Sequence, residues 1–145
     1  MKVSFGKLNT HARVPKYHGG MLEVVTPVPV EIQPGERVDL KTGLSVRVPE
    51  GHILSIQALP SLLVHKGLSI LGPTFVAAGD EDELKIPLHN VGKGQINLQP
   101  GDIIGTAVLH SLMLTGIEEF TPEKQKVERP TRKTPKKDPF RFEVS

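Results

Sequence analysis

The sequence has no cysteine and no tryptophan, and only one tyrosine and five phenylalanines in 145 residues. Without a thiol it can form no disulfide framework, no thiolate metal site and no cysteine nucleophile. With so few aromatics, Val, Ile and Leu must fill whatever core it builds. No apolar run approaches the ~18 residues needed to span a bilayer. The first twenty residues, MKVSFGKLNTHARVPKYHGG, lack the apolar stretch of a secretory signal. These absences predict a soluble, intracellular protein that makes no use of a membrane.

Fourteen glycines and thirteen prolines stand against few helix-favouring runs. That balance points to many short strands joined by tight turns. The length suits one domain with a real core. The net charge of +2 conceals a split. Residues 1–121 carry ten Lys or Arg and twelve Asp or Glu, for −2; residues 122–145 carry eight and four, for +4. In the second segment Pro, Lys, Arg and Glu dominate and apolar periodicity ends, so it reads as an extended arm rather than a folding unit. The expected organisation is a β domain over 1–121 and a basic arm over 122–145.

Within the first segment, alternation and turn residues mark the strands. Val3 and Phe5 open one, and a loop follows from Gly6 to Gly20. Leu22, Val24 and Val25 form the next, interrupted by Thr26-Pro27-Val28-Pro29 because proline donates nothing to a ladder. Gln33-Pro34-Gly35-Glu36 and Gln99-Pro100-Gly101-Asp102 are two turns of one type, which we read as similar turns and not as a repeat. Thr42-Gly43 is expected to turn the chain between Val38–Leu40 and Leu44–Val48. After Pro60, Leu62–Val64 form a helical turn, Ile103–Leu109 an apolar strand, and Leu112–Ile117 a last core strand. The predicted class is all-β, a barrel or jelly roll.

Residues 71–90, LGPTFVAAGDEDELKIPLHN, read as strand, acidic turn and strand. This segment resembles the uracil-binding hairpin of trimeric dUTPases, whose usual form is close to NSPGxIDxDYRGELKVxLHN. Glu83-Leu84-Lys85 and Leu88-His89-Asn90 match its second strand, and Gly72-Pro73 its entry. Pro34-Gly35-Glu36 with Lys41-Thr42-Gly43-Leu44-Ser45-Val46 is similar to the family's PGE…VPTGL block. The resemblance covers roughly residues 10–110 and implies a β-clip type jelly roll with one short helical turn and a C-terminal arm. It also implies a homotrimer whose arm contacts a neighbouring subunit or another protein.

At the family's polar positions the match fails. In ungapped register the catalytic Asp falls on Ala77, the second Asp on Gly79, the sugar-stacking Tyr on Asp80 and the Arg on Glu81. The motif-one Asp falls on Met21. The second motif, P-R-S-G-L-x-x-K, appears as Pro60-Ser61-Leu62-Leu63-Val64-His65-Lys66, one residue short, and the Arg is the best candidate for the loss. In G-x-R-I-A-Q, Ile103 replaces the Arg and Thr106 the Gln. No glycine is present in the tail to supply the family's phosphate lid.

The family's Asp orients and deprotonates a water that attacks the α-phosphate beside Mg²⁺; losing a general base costs on the order of 10²–10⁴ in rate. The resemblance therefore implies remnants of a pocket at Ser61, Lys66, Ala77, Asp80, Asp82 and Thr106. It implies no catalytic residue, no metal ligands and no cofactor. The function expected is a non-catalytic trimeric module, structural or protein-binding, of the kind that decorates a virus or phage particle or docks on a host factor. The alternative is a diverged, active Mg²⁺-dependent dUTP diphosphatase. It gains if the turn is three residues shorter, which aligns Asp80 and Asp82 with the two aspartates.

Other clusters have plainer readings. Asp80-Glu81-Asp82-Glu83 could attract a hard cation but points its acids in different directions, as a solvated turn does. His11, His18, His52, His65, His89 and His110 have no metal-ligand spacing, and Gly92-Lys93-Gly94 is a turn. In the arm, Arg132, Lys133, Lys136 and Lys137 could meet nucleic-acid phosphates, but with few aromatics and with acids interspersed, protein docking fits better. Phe140 and Phe142, alternating with polar residues, suit a strand added to a neighbour's sheet.

Overall fold

Proline and glycine mark many of the strand boundaries in the computed structural model, which describes residues 1–72 and 74–123, although Gly43, Pro87 and Gly105 lie inside strands. In chain order these are β1 (Ser4–Lys7), β2 (Lys16–His18), β3 (Met21–Val25), β4 (Val30–Ile32), β5 (Arg37–Arg47) and β6 (His52–Gln57). There follow α1 (Pro60–Lys66), β7 (Leu68–Ile70), β8 (Thr74–Ala77), β9 (Glu83–Asn90), β10 (Ile96–Leu98) and β11 (Ile103–Ser111). Among the described residues they make a four-stranded sheet β1-β5-β9-β7, a pair β10-β4 and a five-stranded sheet β2-β3-β11-β6-β8. The class is all-β, as the composition requires.

Alternation in β9 sends Leu84, Ile86, Leu88 and Asn90 inward and leaves Lys85 exposed. Leu40 and Val46 of β5, Leu54 and Ile56 of β6, Val76 of β8 and Ile104 of β11 join them in one aliphatic core. Each such fully buried side chain contributes about 1.5–3 kcal/mol over exposure. The two Gln-Pro-Gly-acid turns are built alike. Glu36 N–H donates to Gln33 O (2.9 Å) while its carboxylate accepts Gln33 N–H (2.8 Å). Asp102 N–H donates to Gln99 O (2.9 Å) and its carboxylate accepts Gln99 N–H (2.8 Å). The acid at the fourth position thus closes each turn from both sides.

Three expectations are corrected. Thr42-Gly43 does not reverse the chain: β5 runs through it, and the register against β9 shifts between Lys41 and Ser45. This is a bulge, held by Thr42 Oγ1 donating to Leu84 O (2.7 Å) and by Gly43 N–H donating to the Glu83 carboxylate (2.9 Å). Residues 71–90 do not form a hairpin. β8 pairs with β6, whereas β9 pairs with β5 and β7, so residues 78–82 carry the chain from one sheet to the other. Finally, Leu112–Ile117 is not a strand. β11 ends at Ser111, which is paired with His52, the first residue of β6; one further backbone bond, Leu112 N–H to Gly51 O (2.8 Å), follows before the chain leaves the sheet.

The chain divides into a unit Met1–Leu114 and a second unit from Thr115. The boundary expected at 121/122 falls within the second unit, whose described residues 115–123 carry no strand or helix. Among the described residues no helix is long and apolar enough to cross a membrane.

Candidate functional site

Asn90, at the end of β9, is wholly buried. Its Nδ2 donates to Ile32 O (2.9 Å) and Gly94 O (2.8 Å), and its Oδ1 accepts Gly92 N–H (2.9 Å). Its backbone N–H donates to Glu36 O (3.1 Å) and its carbonyl accepts Gly35 N–H (2.8 Å). One side chain therefore joins β4, the 91–95 loop and, through its backbone, the Gln33–Glu36 turn. A buried amide with every group satisfied specifies geometry as much as it stabilises.

Helix α1 begins on Pro60, whose missing N–H costs nothing at the first position. It ends on Gly67 in the left-handed region, φ +73°, with the Gly67 N–H donating to Leu63 O (3.0 Å). A Cβ at Gly67 would lie 2.7 Å from the Gly92 backbone. Val91 N–H donates to Gly67 O (2.8 Å), so the helix end and the 91–94 loop touch backbone to backbone. Beside this contact lies a cleft of about 590 Å³ lined in part by Lys66, Lys93 and Asn97. Gly92-Lys93-Gly94 is thus a packing surface as well as a turn.

The pocket remnants separate into two groups. Thr106 on β11 is the cross-strand neighbour of Gln57 on β6 and Glu23 on β3, and α1 starts three residues after Gln57. Ser61, in the first turn of α1, is exposed; Lys66, at the helix end, is roughly 7 Å further along the axis. Thr106 Oγ1 donates to Leu22 O (3.0 Å), so its hydroxyl closes the β11–β3 junction. Ala77 is the neighbour of Ile53, at the opposite end of β6 and roughly 13 Å from Gln57 by strand rise. The two groups do not meet within one chain.

Ala77 is exposed at the end of β8, and its carbonyl accepts Asp80 N–H (3.1 Å). The acids that follow are tied to the frame. Glu81 accepts Arg47 Nε–H (3.1 Å) and its carbonyl accepts the Ser45 hydroxyl (2.8 Å). Glu83 holds Gly43, and Asp80 Oδ1 faces Asp82 N–H at 3.4 Å. Among the described residues no group of three or more His, Asp or Glu is placed to hold a metal. The arm residues Arg132, Lys133, Lys136, Lys137, Phe140 and Phe142 lie outside the described residues.

Two features escaped the sequence reading. Ser55 Oγ lies 2.8 Å from His110 Nε2, a nucleophile–base spacing, but Ser55 is wholly buried and Gln57 Nε2 donates to the same oxygen (3.1 Å). No substrate reaches it, so the pair is a polar tie in the sheet. The second is a basic cleft around the loop before β2, which alternation could not reveal because its residues come from three strands, that loop and the turn before β11.

No family model matches the chain. Among curated proteins it is 31% identical over 114 residues to the deoxyuridine 5'-triphosphate nucleotidohydrolase of Thermobifida fusca, covering 75% of this chain and 64% of that protein. Over 111 residues it is 31% identical to the protein of that name from Treponema denticola, covering 72% of this chain and 77% of the relative. The chain belongs to the dUTPase family. The chain thus spans just under two thirds of the Thermobifida dUTPase and just over three quarters of the Treponema one. Among solved structures, the dUTPase of Staphylococcus bacteriophage 80alpha superposes with a TM-score of 0.76 at 16% identity, covering 86% of this chain and 99% of that one. The dUTPase from phage phi11 of S. aureus gives 0.75 at 17%, covering 83% and 96%. At such identity these two structures speak for the dUTPase jelly roll alone.

Proposed function

We propose that this dUTPase-family chain works as a non-hydrolysing homotrimeric module with a structural or protein-binding role. One observation carries the reading. The residue in register with the family's water-activating Asp is Ala77, a methyl group at an exposed strand end. Of the neighbouring carboxylates, Glu81 and Glu83 already hold Arg47 and Gly43, which leaves Asp80 and Asp82 as the acids a replacement base would have to come from. Phosphate binding is weakened in the same direction by Ile103 and by the shortened Pro60–Lys66 segment. Assembly is supported by the separation of Ser61 and Thr106 from Ala77, Asp80 and Asp82, which only a second copy could bring together. In this reading the arm, with Arg132, Lys133, Lys136, Lys137, Phe140 and Phe142, docks on a neighbouring subunit or another protein, in a virus particle or on a host factor.

The second reading is an active, Mg²⁺-dependent dUTP diphosphatase. The similarity to curated enzymes favours it more directly than it favours the first, and Asp80 and Asp82 are exposed and open to a partner subunit. The solved phi11 dUTPase coordinates a structural Mg(II) ion. A catalytic Mg²⁺ is distinct from such a structural ion; in this chain Asp80 and Asp82 are the exposed carboxylates that would hold it, and it would supply charge neutralisation on the triphosphate.

Pyrophosphate release from dUTP with Mg²⁺, measured on protein whose mass is fixed by light scattering, separates the two. A trimer without turnover supports the module. Turnover that disappears in Asp80→Asn supports the enzyme. Loss of partner association on deletion of residues 122–145 tests the arm.

A further inference from the structure

The loop before β2 and the turn before β11 enclose a cleft of about 740 Å³ that contains none of Ser61, Lys66, Ala77, Asp80, Asp82 and Thr106, although its wall reaches Glu23, the cross-strand neighbour of Thr106. Lys7, His11, Arg13 and Lys16 line it, and Glu23 is the one acidic residue in its wall. Residues 1–121 carry a net charge of −2 with ten Lys or Arg, so three of those ten around one cleft are a local excess. Glu23 lies 3.4 Å from His18 Nδ1, outside the group. Among the described residues none of Lys7, Arg13 and Lys16 makes an ion pair, and all three are exposed.

The backbone bearing these cations is held in place. Leu8 N–H donates to Gly43 O (2.7 Å), fixing the loop to the β5 bulge. Asn9 Oδ1 accepts the N–H groups of His11 (2.9 Å) and Ala12 (3.0 Å), and Ala12 is buried. The Arg13 guanidinium rests against Gly101, where an added Cβ would lie 3.0 Å from its Nη1. A fixed loop presents its donors with less ordering cost on binding. Unpaired cations gathered in a concave wall also focus positive potential.

We propose that this cleft binds a chain of closely spaced phosphate groups. Arg13 offers a planar fork and Lys7 and Lys16 offer point charges, a combination that matches several phosphate oxygens better than a single carboxylate. The lining contains no Phe, Tyr or Trp, and its one ring, the His11 imidazole, is a small stacking surface, so the contact is chiefly with the phosphates. The same chemistry is offered by a free oligophosphate and by a phosphodiester strand. The proposal does not depend on whether the family's own site is active.

The test uses the full chain, so that the basic arm is present in every sample. Tripolyphosphate is titrated calorimetrically, and labelled oligothymidylate by fluorescence anisotropy at several salt concentrations. Arg13→Gln with Lys16→Gln is compared with Lys41→Gln with Lys85→Gln, an exposed pair on β5 and β9 carrying the same change of charge. The cleft variant should lose at least about ten-fold in affinity, the control no more than about two-fold, and the strand's salt slope should fall by about one to two in the cleft variant alone. Loss toward tripolyphosphate supports the site and names free oligophosphate as its source; loss toward the strand alone supports it with a phosphodiester source. Equal losses in the two variants, or no binding of either probe by the unaltered chain, overturn it.

Discussion

The two ends of one segment behave in opposite ways. From Glu83 to Asn90 the chain alternates cleanly, buries four side chains and finishes on an amide with three side-chain hydrogen bonds. From Ala77 to Asp82 it is mostly exposed, and only Glu81 among its acids is tied to β5. The family's framework survives in the first half, where each residue has several partners and a change disturbs them all. The second half departs from the family's sequence pattern, at positions where a side chain meets mainly solvent and can change without cost to the fold. Fold and site are therefore under different physical constraints within a dozen residues, and one does not certify the other.

Substitutions can sharpen this contrast, beginning with the largest effect. Asn90→Ala should remove about 3–5 kcal/mol, because it orphans Ile32 O, Gly94 O and Gly92 N–H together; urea denaturation followed by circular dichroism measures it. Gly67→Ala combines a left-handed φ with a close contact to Gly92, and should cost about 2–3 kcal/mol in the same assay. Gly35→Ala is its control: φ is +79° but no atom lies within 4 Å of the added Cβ, so about 1 kcal/mol is expected. Equal costs at the two glycines would remove the close approach from the account. Glu81→Gln breaks only the Arg47 contact at the surface and should change stability by no more than about 0.5 kcal/mol.

Features set by neighbours in sequence could be read in advance. Both Gln-Pro-Gly-acid turns, the proline break after Val25 and the inward face of β9 follow from local rules. The crossing at 78–82, the bulge at Gly43 and the early end of β11 do not. Alternation names the face a residue occupies but not the strand beside it, so a hairpin and a crossover between sheets look alike in sequence. The register of Ala77 against the family's Asp is a comparison of sequences at a single position. The contact of Gly67 with Gly92, and the cleft of Lys7, Arg13 and Lys16 closed by Gly101, join residues far apart in the chain, and no periodicity announces them.

Incubation of the purified protein with dUTP and Mg²⁺, with pyrophosphate release followed over hours, tests the central claim most directly. With a methyl group at Ala77 and neither Asp80 nor Asp82 standing in as the base, release should stay at the level of the protein-free control. Catalytic turnover of dUTP that is abolished by Asp80→Asn or Asp82→Asn would contradict it and make this chain an active dUTPase.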